Sequence, residues 1–171
     1  MEIVDYVFLV IPALVVGTVA YYFFERHTSH IEKMKLRELH FKHKKQSLPL
    51  RLQAYERLVL FLERISPNNL VIRMTPIGDD KSQYESLLVR AIEQEFEHNL
   101  TQQIYVSSEC WNVVRASKNS TISLIRNKAR NEEITSAHKL REAILNSLLE
   151  KEAPSETGLA YVNNEVKELW G

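Results

Sequence analysis

Residues 50–65 read LRLQAYERLVLFLERI, and ten of the sixteen are apolar once Ala54 and Tyr55 are counted. The spacing predicts one helix, opened by Ser47 as N-cap and by Pro49 in the first turn, where a fixed φ and a missing N–H do no harm. Ser66-Pro67-Asn68-Asn69 is expected to end it. A helix this apolar has to be covered on most sides, which places it at the centre of a helical bundle.

Working toward the C-terminus, LVIRMTPIGDD (residues 70–80) shows no period and is expected to be extended or irregular, with a turn at Pro76 and Gly78. Asp79 or Asp80 then caps a helix to about His98, with Tyr84, Leu87, Leu88, Ala91, Ile92 and Phe96 on one face. The β-branched and aromatic run Ile104-Tyr105-Val106 is expected to cross over the bundle. Ser107 or Ser108 caps the next helix, which runs to about Arg130 and turns Trp111, Val114, Ile122, Ile125 and Ala129 inward. Another helix, near Glu133 to Glu152, carries Ala137, Leu140, Ile144 and Leu148. Pro154 to Gly158 is expected to break the chain, leaving 154–171 as an amphipathic tail with Leu159, Val162, Val166, Leu169 and Trp170. Such a tail is too short to hold its helix in water unless it docks. The bundle proper is then 49–153, and the fold class is all-α.

Toward the N-terminus, Tyr6 to Phe24 reads YVFLVIPALVVGTVAYYFF, nineteen residues without a charge. As a helix they would measure about 28.5 Å, close to the roughly 30 Å of a hydrocarbon core. The run is preceded by Glu2 and Asp5 and ends in four aromatics, unlike a cleavable signal peptide. Residues 1–24 therefore read as an uncleaved transmembrane anchor, with Ala13 and Gly17 as a small-xxx-small pair where a second helix can approach. Residues 25–51 hold eight basic against three acidic residues, and 52–171 hold 14 against 17. This asymmetry puts the N-terminus outside and the bulk of the chain in the cytoplasm, at an inner membrane. Residues 25–48 form a basic stalk whose Lys33, Lys35, Arg37, Lys42, Lys44 and Lys45 are placed to meet anionic headgroups.

Composition excludes several function classes. One cysteine in 171 residues permits no intramolecular disulfide and no cysteine-rich zinc site. Glycines at 17, 78, 158 and 171 are too scattered to cradle a phosphate. A net acidic 52–171 disfavours specific nucleic-acid binding.

Three arrangements invite chemistry. Glu95-x-x-His98 has the helical ligand spacing of a di-iron bundle, but no second Glu-x-x-His accompanies it, and the position before His138 is Thr135. His27, His30, His40 and His43 form two i,i+3 pairs among lysines that oppose a bound cation. Cys110, in a first helical turn beside Trp111, would need a base to act as a nucleophile, and otherwise reads as a small core residue. No catalytic residue, metal ligand, cofactor or small-molecule substrate is assigned from these patterns.

Residues 49–58, PLRLQAYERL, together with Asn99, Gln102-Gln103-Ile104-Tyr105-Val106-Ser107 and Trp111, resemble a family of short, membrane-anchored proteins of unknown function from Bacteroidota. The resemblance implies a Gram-negative inner membrane and supplies no activity or ligand. The expected function is that of a membrane-anchored interaction or scaffold protein without catalysis, an accessory subunit that binds an inner-membrane assembly or itself. Tyr161, Val166, Leu169 and Trp170 are its expected contacts. The alternatives are a stator-like stalk similar in layout to the ATP synthase b subunit, which the prolines at 49, 67, 76 and 154 argue against, and a metal-dependent enzyme or regulator using Glu95 and His98.

Overall fold

The structure, a computed structural model, describes residues 12, 14–24 and 48–169, without the side chain of Glu150. The chain divides into two compact units, Met1–Leu48 and Pro49–Gly171. All regular structure among the described residues is helical.

In the first unit, residues 14–24 form a continuous helix. Its side chains stand out from the chain: Leu14, Val15, Val16, Val19, Tyr21 and Tyr22 are 56–70% exposed. The Thr18 hydroxyl donates to the Leu14 carbonyl at 2.7 Å, four residues back. Among the described residues no helix is long and apolar enough to cross a membrane. The expected span includes residues 6–11 and 13, and these, like the stalk lysines and histidines of 25–47 and like Trp170, lie outside the described residues.

The first helix of the second unit is α1 (residues 48–65), which lies in that unit from Pro49 onward. Ala54, Tyr55, Leu58, Phe61, Leu62 and Ile65 are all buried, a stripe at three- and four-residue spacing. The other side is open, with Leu50 and Leu60 half exposed, so the helix is covered along one stripe and not on most sides. The next element corrects a second expectation. Pro67 opens a helix, α2 (Pro67–Arg73), that buries Pro67, Leu70 and Val71. A proline at the first helical position both ends α1 and starts α2, because only the interior of a helix requires the missing N–H. The Arg141 side chain donates to the Val71 carbonyl at 3.0 Å and ties α2 to the helix that starts at Ala137.

Asp80 caps α3 (Lys81–Glu97), its carboxylate accepting from the Ser82 and Gln83 amides. The run Ile104-Tyr105-Val106, expected to cross over the bundle, is instead the end of a 3-10 helix, Leu100–Ile104, with Tyr105 after it in a helical conformation. Local bonds outweigh β-branching here: Gln102 N–H donates to Asn99 O, and Tyr105 N–H to Gln102 O, both at 3.0 Å. The Asn99 amide also donates to the Glu95 carbonyl at 2.8 Å, satisfying the end of α3. Ser107 caps α4 (Ser108–Arg130). Ser136 caps α5 (Ala137–Glu150), which starts four residues later than expected because Asn131 folds 131–134 into a turn.

The last helix, α6 (Pro154–Glu168), begins at the proline expected to break the chain and packs mainly on α4. Gly158 lies buried within it. A Cβ there would stand 2.8 Å from Ser117 Oγ and 2.9 Å from Leu62 Cδ2, so the glycine serves the close approach of α6 to α4 and α1.

Candidate functional site

Four side chains from three elements converge beside the first turn of α4. Arg51 and Tyr55 lie one turn apart on α1, Ser107 caps α4, and Glu165 sits on α6. Glu165 Oε1 accepts from the Tyr55 hydroxyl at 2.6 Å and from the Ser107 amide at 3.1 Å. Its Oε2 accepts from Ser107 Oγ at 2.7 Å. Ser107 Oγ in turn accepts from the Cys110 amide at 3.0 Å, so one hydroxyl both caps α4 and binds α6. Arg51 completes the clasp: Nε donates to the Tyr105 carbonyl and Nη2 to the Tyr55 hydroxyl, each at 3.1 Å.

Electrostatics follow from this geometry. Burial pushes the Glu165 carboxyl up, but the donors from Tyr55 and Ser107 outweigh it and hold the group below its ordinary 4.5. Burial, then the bond to Glu165, pushes Tyr55 up to about 12. Burial and the Glu165 charge push the Cys110 thiol up to about 12, opposite to the change a nucleophile needs. The cluster thus holds a fixed anion and a protonated thiol, which suits a structural clasp.

Next to the clasp lies a cleft of about 580 Å³ whose lining includes Arg51, Glu109, Tyr161, Glu165, Glu168 and Leu169. Two of the expected contact residues, Tyr161 and Leu169, therefore share one surface. Val166 lies outside the cleft lining and packs, like Leu169, against the core. Gly17, expected at a helix crossing, has nothing within 4 Å of a Cβ built on it.

The other sequence candidates are engaged elsewhere or exposed. Glu95 pairs with Arg64 of α1 at 3.3 Å, while His98 is exposed at the end of α3. Among the described residues no three His, Cys, Asp or Glu side chains are grouped to hold a metal. Trp111 stacks on Phe96 at 5.3 Å, and Phe96 meets Phe61 at 5.7 Å. The Lys118 ammonium lies 4.6 Å from the Phe96 ring centre and pairs with Glu93 at 2.8 Å.

Residues 1–169 match a family of unknown function, DUF7935. The chain belongs to this family. No curated protein and no solved structure matches it. In this DUF7935 member the residues that carry the resemblance in the sequence are partly those of the clasp: Arg51, Tyr55, Tyr105 and Ser107 all take part in it. Glu165 is the member sequence reasoning missed. It is 58 residues from Ser107 and 110 from Tyr55, beyond any motif. The available signal was a carboxylate on the stripe Leu159, Val162, Val166, Leu169, on the side that docks.

Proposed function

We propose that this DUF7935 member is a membrane-tethered interaction protein without catalytic chemistry, held at a Gram-negative inner membrane of the kind found in Bacteroidota. The observation that carries the proposal is the helix at 14–24, whose Leu14, Val15, Val16, Val19, Tyr21 and Tyr22 are 56–70% exposed. A run of six large apolar and aromatic residues directed outward is costly in water and favourable in lipid. The bond from Thr18 to the carbonyl four residues back suits the same surroundings, since it satisfies the hydroxyl within the helix. The charge asymmetry of the flanks supports an outside N-terminus, with Lys33, Lys35, Arg37, Lys42, Lys44 and Lys45 facing anionic headgroups on the cytoplasmic side. Ala13 and Gly17 would serve helix association within the bilayer.

The folded unit then presents its surface to a second membrane-associated protein or to another copy of the chain. Tyr161 and Leu169, beside the clasp, are the proposed contacts, with Trp170 following them in sequence. The buried thiol, its pKa raised, and the hydrogen-bonded carboxylate support binding over catalysis. Fusions at the C-terminus test the topology: a cytosol-dependent fluorescent reporter is expected to be active and a periplasm-dependent phosphatase silent. An active phosphatase would overturn the proposal.

A further inference from the structure

A second and larger concavity lies away from the clasp, where α5 meets α6. It is an open groove of about 1160 Å³. One wall is the end of α5 with Leu145, Leu148 and Leu149, another the start of α6, and the third the α1–α2 corner. Leu149 is 86% exposed, an apolar side chain at the groove that no part of the second unit covers. Two turns of helix about 10 Å across and 10.8 Å long occupy roughly 850 Å³. The volume of the groove is thus comparable with that of two helical turns.

Its charge is one-sided. The thirteen lining residues include Glu63, Glu152 and Glu156 and not one lysine or arginine. Glu63 accepts from the neutral Asn69 amide at 3.3 Å, which leaves its charge uncompensated. Three leucines on one wall and three carboxylates around the same groove complement a helix with leucines on one face and lysines or arginines flanking it.

We infer that the groove between α5 and α6 binds a basic amphipathic helix of a partner protein through Leu145, Leu148, Leu149 and the carboxylates of Glu63, Glu152 and Glu156. This deepens the interaction reading by naming the chemistry of a partner, and it uses a surface other than the Tyr161 cleft.

The test uses the full chain in detergent micelles and two synthetic helical peptides of about five turns. Both carry the same leucine stripe; one has lysines and the other glutamates on the remaining positions. The lysine peptide is expected to bind at micromolar concentration, to weaken as salt is raised, and to bind about tenfold tighter than the glutamate peptide. The triple substitution Glu63→Gln, Glu152→Gln and Glu156→Gln is expected to remove most of that preference, and Leu149→Asp to weaken the lysine peptide about tenfold, with unchanged helical content and melting temperature. Equal binding of the two peptides, binding of neither, or full affinity in the variants would overturn the inference. So would sedimentation showing a dimer of the full chain that Leu149→Asp dissociates, because the occupant would then be a second copy. None of these readouts depends on which side of a membrane the unit lies, so failure here is distinct from failure of the topology test.

Discussion

Burial alone would make Glu165 a poor anion, yet three donors from Tyr55 and Ser107 keep it ionised. Its folded pKa lies below its ordinary value, so the stability it supplies is present above pH 4.5 and is lost as the pH falls through the lower folded value. Glu165→Gln is expected to cost about 2 kcal/mol near neutral pH, because a charged acceptor is replaced by an amide that misplaces one donor. Denaturant titrations of both proteins should give a constant difference down to about pH 4.5 and a shrinking one below it. A difference that is flat into stronger acid would contradict the clasp. At Cys110, burial and the neighbouring anion act in the same direction. The thiol is therefore expected to resist a chromogenic thiol reagent at neutral pH and to react only after denaturant unfolds the chain. The identity of these residues was visible in the sequence around Arg51, Tyr55 and Ser107. Their common target was not, since hydrogen bonds between α1, α4 and α6 leave no local pattern.

Caps were legible where a short polar side chain precedes a periodic run, as at Asp80 and Ser107. Prolines are ambiguous signals because the same residue stops one helix and starts the next: Pro67 and Pro154 each stand at the opening of a helix. The stretch Pro154 to Gly158 reads in the sequence as a break, whereas the missing Cβ of Gly158 is what lets α6 close on Ser117 and Leu62. Gly158→Ala gains about 1 kcal/mol of helix propensity but forces two buried neighbours to move, at about 1–3 kcal/mol. The clash is expected to win, with a net loss of about 1 kcal/mol seen as a lower melting temperature. A stabilised variant would show that the α4–α6 contact is looser than described. Removing α6 altogether is expected to do more. It uncovers the core around Leu159 and Val162 and deletes Glu165, so a chain ending before Pro154 should lose its cooperative thermal transition. Such a truncation therefore reports on folding, and single substitutions at Tyr161 or Leu169 are the better tests of a contact surface.

For the second unit, periodicity in the sequence was enough for an all-helical fold with an inward apolar face on α3, α4 and α5, whereas it overstated the cover of α1, which is buried along one stripe only. It was not enough for the way the unit closes, because closure depends on α6 returning to α1 and on which helix faces share the core. The apolar run before the unit is a different kind of signal. It comes from composition, and its described part, residues 14–24, is a helix with its large side chains turned outward. We propose lipid as the medium for that surface. Alkaline carbonate extraction of membranes from cells making the full chain, beside a variant with Val15, Val16 and Val19 changed to aspartate, tests this most directly. The full chain is expected to stay with the membrane pellet and the variant to move to the supernatant; release of the unaltered chain into the supernatant would contradict the account.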